Sequence, residues 1–281
     1  MNSQLLPAVM GPHIRMVPTP LGDLSVRTAG HGPRRVVLWP SILTDSHIFD
    51  AVADRLAPLC TFFLIDGPGH GQSSGRAQEF TGAESGQAML AVMDAFGLRR
   101  AVVGGVSWGG LTAAEVAMSA PGRVEALVLM NTPMDIDGDR PSFGDRMIAF
   151  GARWMAGLKV FRDGVARSFF DEDSLRRNPT YSSQFHSMLA KANRRELAAA
   201  VRSVILRGTP LRGRLHEITV PTLMISGIAD KLYPLEGQAE AALRLRDARF
   251  VPVRGHHISP IDASDDVTEA LRAFLLERIP T

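Results

Sequence analysis

Short, almost uninterrupted apolar runs alternate with amphipathic stretches along residues 1–131, and this alternation restricts the fold more than any other feature of the chain. Short continuous apolar runs are typical of strands that are buried on both faces. Helical periodicity lies between them, most clearly behind a capping box formed by Thr81 and Glu84. We therefore expect an α/β fold, with a mostly parallel central sheet and helices on both of its faces. Strands are predicted at 14–17, 24–28, 36–39, 61–65, 101–103 and 124–130, the first two as an antiparallel hairpin.

The alternation stops after residue 131. Residues 132–215 hold arginine-containing helical stretches and no strong strand pattern, and the sheet pattern returns at 220–226 and 249–253. We therefore predict a core domain made of residues 1–131 and 216–281, interrupted by a helical insertion at 132–215. The insertion is expected to act as a cap, or lid, although extra packing helices without a binding role would give the same pattern.

One serine lies within a glycine-rich turn, in the run VVGGVSWGGL. The residues 105–109 read Gly-Val-Ser-Trp-Gly, which matches G-x-S-x-G between a predicted strand and a predicted helix. A sharp turn brings the residues on either side of the serine close together, so side chains at 105 and 109 would clash. The Ser107 hydroxyl is then exposed near a helix N-terminus, which stabilises negative charge. A glycine-rich turn that binds phosphate remains the alternative.

A second motif, Asp-Gly-Pro-Gly-His-Gly-Gln-Ser at residues 66–73, is similar to the D-x-x-G-x-G-x-S loop of a known superfamily. On these two motifs the chain resembles the α/β-hydrolase superfamily over nearly its whole length, apart from the insertion. The resemblance implies the α/β-hydrolase fold with Ser107 as nucleophile. It also implies that the second motif is structural, so that His70 is a loop residue and not a catalyst.

The resemblance implies further that an acid and then a histidine follow the serine in the chain. His256 and His257 come directly after the last predicted strand, and the residues that follow them read Ile-Ser-Pro-Ile-Asp. That tail favours His257 as the base, with His256 next. Asp230, at the end of Ser-Gly-Ile-Ala-Asp, is the expected acid, and Asp135 would replace it if the acid came one strand earlier.

Acyl transfer to a serine also needs two N–H donors that stabilise the negative charge developing on the carbonyl oxygen. The resemblance implies Trp108 as one donor and a residue of the loop after the 36–39 strand as the other. Many relatives carry His-Gly in that loop, and here the positions are Pro40 and Ser41. Ile42 is therefore the expected donor, with Ser41 or Leu43 if the loop differs by one residue. The run at 41–45 resembles the corresponding loop of β-ketoadipate enol-lactone hydrolases.

These observations predict a serine hydrolase that cleaves a carboxylic ester or lactone through an acyl-enzyme intermediate. Carbon–carbon bond hydrolysis, or a receptor that binds a ligand without turnover, are the alternatives. The expected substrate is a small apolar molecule, and neither a metal nor a cofactor is expected. The apolar residues expected to line its pocket, or else simply to pack between helices, are Met134, Phe143, Met147 and Trp154.

Composition narrows the classes of partner. The chain has 31 Lys and Arg against 29 Asp and Glu, and we see no long basic run, so nucleic acid is not an expected partner. The first 20 residues lack the pattern of a signal peptide, and no segment is long enough to span a bilayer. We expect a cytoplasmic protein, monomeric or homodimeric, in which Cys60, the single cysteine, is a buried thiol.

Overall fold

A computed structural model describes residues 13–136 and 140–280 and contains an eight-stranded sheet in the order β1-β2-β4-β3-β5-β6-β7-β8. The sequence-based interpretation of residues 1–12 lies outside the described residues. The strands are β1 (His13–Thr19), β2 (Gly22–Gly30), β3 (Arg34–Trp39), β4 (Cys60–Ile65), β5 (Ala101–Val106), β6 (Val124–Met130), β7 (Thr222–Gly227) and β8 (Ala248–Val253).

The sheet is parallel from β4 to β8 and antiparallel at its other end. β1 and β2 form the predicted hairpin, and β2 pairs antiparallel with β4. Each of the other neighbouring pairs is parallel. Every residue of β4, β5 and β7 is buried, as expected for strands that are covered on both faces. The predicted fold class is confirmed.

The described residues of the sheet-forming part contain six helices: α1 (Asp50–Arg55), α2 (Gly82–Ala95), α3 (Trp108–Ser119), α9 (Leu235–Ala242), α10 (Ser259–Asp262) and α11 (Ser264–Arg278). The predicted capping box at Thr81 and Glu84 opens α2. A 3-10 turn, Ser46–Phe49, directly precedes α1. The Asp45 carboxylate caps that turn by accepting from the His47 N–H.

Between β6 and β7, residues 131–136 and 140–221 contain five helices: α4 (Phe143–Trp154), α5 (Lys159–Phe169), α6 (Glu172–Arg177), α7 (Pro179–Lys191) and α8 (Arg194–Val201). A π-helical turn (Arg202–Leu206) and a 3-10 turn (Arg212–Glu217) follow them. The described part of this segment contains no strand, in agreement with the sequence pattern. Hydrogen bonds tie it to the core at several points, among them those from Gly75 N–H to Glu196, from Phe80 N–H to Ser203 and from Ile258 N–H to the Phe169 carbonyl. The exact boundaries of the insertion and its role as a lid stay predictions.

The arrangement of the parallel strands determines where a site can form. The carboxyl ends of β3, β5, β6, β7 and β8 all lie at one edge of the sheet, and in open α/β sheets ligands bind outside that edge. Of the helices that the structure describes, none is both long and apolar enough to cross a membrane. The cytoplasmic location stays a prediction.

Cys60 is fully buried at the start of β4, and burial raises the pKa of its thiol to about 11, against a smaller opposing effect of Arg34 and Arg272. Because the thiolate is the reactive form, we expect native Cys60 to react with a disulfide reagent at least about a hundredfold more slowly than an exposed thiol. Unfolding in guanidinium should restore the ordinary rate. Fast, stoichiometric labelling of the native protein would contradict this placement.

Candidate active site

Ser107 occupies the turn between β5 and α3 in a backbone conformation that side chains rarely adopt. Its φ is 53° and its ψ is −112°. A residue other than glycine stays in such a conformation only when its surroundings hold it there. The Ser107 N–H donates to the Met130 carbonyl at 2.9 Å, and the Leu111 N–H donates to the Ser107 carbonyl at 3.2 Å. The turn is thus held from β6 on one side and by the first turn of α3 on the other.

Three glycines around the serine have no room for a side chain. A Cβ atom on Gly109 would lie 1.8 Å from the Trp39 carbonyl oxygen, and one on Gly105 would lie 2.2 Å from the same atom. A Cβ atom on Gly110 would lie 1.9 Å from the Thr132 hydroxyl oxygen. The expected close approach of the two positions is present, because a Cβ atom on Gly105 would also lie 2.6 Å from the Gly109 carbonyl carbon, but the atom nearest to both glycines is the Trp39 carbonyl oxygen at the end of β3.

Asp230 and His257 form a buried pair after β7 and β8. Nδ1 of His257 lies 3.0 Å from Oδ2 of Asp230, and the two residues are 2% and 6% exposed, respectively. Because an ionised carboxylate only accepts, Nδ1 carries the proton and Nε2 is left as the basic nitrogen. Burial alone would raise the pKa of Asp230. The hydrogen bond and charge of His257, aided by the Asn131 amide and the Leu232 N–H, hold that pKa below its usual value.

Asn131 links this pair to the serine turn, a role that the sequence did not predict. Its Nδ2 donates to Oδ2 of Asp230 at 2.9 Å and to the His256 carbonyl at 3.1 Å. Asn131 follows Met130, whose carbonyl accepts from the Ser107 N–H. Its φ is 48°, a conformation that asparagine tolerates better than most residues. The sequence feature that could have indicated this role is the position of an asparagine directly after a buried strand.

The two alternatives from the sequence lie elsewhere. His256 is part-buried, its Nδ1 lies 3.6 Å from Oδ2 of Asp262, and its backbone carbonyl accepts from Asn131. The Asp135 side chain is 59% exposed and forms two 2.6 Å hydrogen bonds with Arg212. Of the four candidates for acid and base, the structure therefore brings Asp230 and His257 together.

Two aromatic rings enclose the imidazole of His257. The centroid of the Phe169 ring lies 5.3 Å from that of His257, and the centroid of Tyr233 lies 5.4 Å from it. Phe169 ends α5, and its carbonyl accepts from the Ile258 N–H at 3.1 Å. The helical segment between β6 and β7 thus contributes directly to the surroundings of the candidate base.

The loop after β3 is held by His70. Leu43 has a φ of 61°, and its N–H donates to Nε2 of His70 at 3.0 Å. Nδ1 of His70 lies 2.9 Å from the Pro68 carbonyl, which can only accept, so the ring is the neutral Nδ1–H tautomer. Burial lowers the pKa of His70 to about 4, which keeps it neutral. The His70 ring also lies 5.6 Å from the ring of Trp108, which opens α3.

The rest of the 66–73 motif has contacts that fit a structural role. The Asp66 carboxylate accepts from the N–H groups of Ser46 and Gln72, each at 2.9 Å. The Ser73 hydroxyl donates to the Asp66 carbonyl at 2.7 Å. Asp66 thereby joins the end of β4 to the loop that follows β3.

The four predicted pocket residues do not lie together in an enclosed cavity. Met134 is buried, at 1% exposure, but Phe143, Met147 and Trp154 lie on the outer side of α4 at 78%, 47% and 57%. Apolar character alone did not distinguish a residue that faces a cavity from one that faces solvent. A large groove, about 610 Å³ in volume, lies between the 66–73 loop and α7, and neither Ser107 nor His257 lines it.

Comparisons with known proteins give consistent results. A family model described as the alpha/beta hydrolase fold matches residues 34–264. The chain is 30% identical over 260 residues to a pimeloyl-acyl-carrier-protein methyl ester esterase of Xanthomonas campestris pv. campestris, an alignment that covers 90% of this chain and 98% of that protein.

Solved structures agree with this result. An enol-lactonase from Burkholderia xenovorans LB400 superposes with a TM-score of 0.82 at 26% identity, covering 91% of this chain and 97% of that one. A hydrolase from Pseudomonas aeruginosa PA01 superposes with a TM-score of 0.84 at 28% identity, covering 93% and 98%, respectively.

We expect Gly109→Ala to lower the free energy of unfolding by about 3 kcal/mol, because its methyl group would overlap a backbone carbonyl that cannot move aside. Gly122→Ala is the matched control, since a Cβ atom there would meet nothing within 4 Å. Urea denaturation of both variants measures the difference. Equal stability of the two would show that β3 does not press against the serine turn.

The pH dependence of stability should carry a contribution from His70. Its pKa is about 4 in the folded protein against 6.5 for a free histidine, so the unfolded chain binds the proton first as the pH falls. The stabilisation is complete above pH 6.5 and is lost towards pH 4, by at most about 3 kcal/mol. Urea titrations should therefore show that the free energy of unfolding of wild type exceeds that of His70→Gln by a larger margin at pH 6.5 than at pH 4. A gap that does not change with pH would contradict a neutral His70.

Proposed function

We propose, from the premise that this chain belongs to the α/β-hydrolase family, that it is a serine hydrolase cleaving a carboxylic ester or lactone through an acyl-enzyme intermediate. The observation that carries the proposal is the buried Asp230–His257 pair, joined through Met130 and Asn131 to the strained turn of Ser107. Relatives that act on ester bonds support the same class of reaction.

In the proposed reaction, Oγ of Ser107 attacks the carbonyl carbon while Nε2 of His257 takes the hydroxyl proton. The bond to the leaving oxygen then breaks, and that oxygen takes the proton from His257. Water attacks the acyl-serine in the same way, giving its proton to His257, and the serine oxygen leaves and recovers it. Asp230 stays ionised throughout because its pKa is held low, and it fixes the tautomer of His257.

The oxyanion is proposed to bind the N–H groups of Trp108 and Ile42. The Leu43 N–H already donates to His70, and the Thr44 N–H already donates to the Ser41 carbonyl. Pro40 has no N–H to offer. These contacts favour Ile42, as the sequence predicted, with Ser41 as the remaining alternative. Loss of one such donor typically costs about 3 kcal/mol of transition-state stabilisation.

An apolar ester or lactone of modest size is the proposed substrate. The structural relative at 26% identity is an enol-lactonase, and the sequence relative at 30% identity is a methyl ester esterase. The rings of Phe169 and Tyr233 beside His257 would place apolar surface next to the reacting carbonyl. No cofactor or metal takes part in this reaction as proposed.

A matched pair of aspartate variants tests the assignment. Asp230→Asn should lower kcat for p-nitrophenyl butyrate by about 10³- to 10⁴-fold, because an amide that donates to Nδ1 stabilises the wrong tautomer of His257. Asp135→Asn removes only an exposed ion pair with Arg212, so kcat should stay within about twofold.

Steady-state kinetics of both variants, with circular dichroism to confirm folding, give the answer. Equal activities in the two variants would reject Asp230 as the acid. Stoichiometric binding of esters or lactones by folded wild type, without turnover, would identify a receptor instead of an enzyme.

A further inference from the structure

The outer face of α4 exposes four large apolar side chains in a row. Phe143, Met147, Phe150 and Trp154 are 78%, 47%, 53% and 57% exposed. Their spacing of four, three and four residues places all of them on one side of the helix. Isolated exposed apolar residues are common, but a contiguous patch on a folded protein marks a surface that binds something. We call these four residues the outer α4 face.

The exposure of this face does not come from a poorly packed helix. Ala149 and Ala152, on the opposite side of α4, are 6% and 0% exposed, and α4 packs against α8. Two further apolar residues shortly after the helix, Leu158 and Val160, are also 52% and 64% exposed. The helix is therefore fixed by small residues on one side while its large apolar residues point to solvent.

Positive charge accompanies the exposed face. Arg146 and Arg153 flank it, and the guanidinium of Arg153 lies 4.2 Å from the centroid of the Trp154 ring. The one acidic residue of α4, Asp145, is turned towards Ser142 as part of a capping box. Residues 132–215 contain 15 Lys and Arg against 9 Asp and Glu, whereas the rest of the chain contains 16 against 20. The net positive charge of the protein thus resides in the segment that carries the apolar face.

We propose that the outer α4 face docks the protein on the surface of an anionic lipid bilayer. A helix with aromatic and Met side chains on one face and arginines beside them lies flat in the headgroup region, with its apolar side towards the acyl chains. Charge attraction to anionic headgroups adds to the burial of apolar surface. An acidic protein would match the arginines, but a stripe of four apolar side chains suits acyl chains better. Such docking needs no membrane-spanning helix.

The helical segment that carries the outer α4 face also contacts the candidate base. Phe169, the last residue of α5, places its ring 5.3 Å from the ring of His257, so docking through this segment would hold the candidate site close to the bilayer. Apolar esters concentrate in bilayers. Delivery of substrate from the membrane rests on the proposed function, whereas the docking itself does not.

The tryptophans provide a direct probe of docking. The chain has three, of which Trp39 and Trp108 are 0% and 3% exposed and Trp154 is 57% exposed. Vesicles of phosphatidylcholine with phosphatidylglycerol should therefore shift the emission of Trp154 to shorter wavelength and carry the protein into the pellet on sedimentation. Vesicles of phosphatidylcholine alone should do so more weakly. Phe150→Ser and Leu158→Ser should each weaken binding by about tenfold.

Leu243→Ser is the matched control, because Leu243 is 87% exposed but lies outside the outer α4 face, and its binding should equal that of wild type. Arg146→Glu should lower the preference for anionic vesicles. Hydrolysis of a soluble ester without vesicles should be the same in all four variants, which separates this proposal from the proposed function. If Phe150→Ser loses that activity, Leu158→Ser and Arg146→Glu carry the test.

Two results would overturn the proposal. The first is an unchanged emission spectrum together with protein that stays in the supernatant with anionic vesicles. The second is a wild-type dimer, seen by sedimentation velocity, that Phe150→Ser dissociates, because a second copy of the chain would then cover the face.

Discussion

The contact between the serine turn and the carbonyl of Trp39 is the constraint on which the rest of the site depends. Gly105 and Gly109 both approach that single oxygen, so β3, β5 and α3 meet at a point that admits no side chain. The turn can then hold Ser107 at a positive φ, with the Trp108 N–H at the start of a helix. The same carbonyl begins the loop that contains Ile42. The proposed nucleophile and the proposed oxyanion donors are therefore positioned by one contact between backbones.

Two buried histidines show how surroundings assign different chemistry to the same side chain. His257 has a carboxylate on Nδ1, which stabilises the imidazolium that forms when the ring accepts a proton. His70 has a carbonyl on one nitrogen and the Leu43 N–H on the other, so both nitrogens are occupied and protonation is disfavoured. The first arrangement suits a base that gains and loses a proton. The second suits a fixed support for the loop after β3.

The sequence predicted well whatever depends on local patterns. Short apolar runs predicted the strands, and the glycines around Ser107 predicted the turn, because burial and steric exclusion directly restrict which residue types can occupy these positions. Asp230 and His257 were named through family resemblance and meet in the structure, although their roles remain proposals. Asn131 and the bond from Leu43 to His70 join residues distant in the chain, so no local pattern reveals them. The exposure of Phe143 could not be predicted either, since hydrophobicity does not tell whether a side chain meets the core, a ligand or a membrane.

Labelling with a fluorophosphonate, followed by intact mass, tests the central claim most directly. Such a probe forms a stable adduct only with a serine that a neighbouring base activates. The account predicts one adduct per wild-type chain and none on folded Ser107→Ala. A wild-type protein that stays unlabelled while folded, or a variant that labels as well as wild type, would contradict the assignment of Ser107 as the nucleophile.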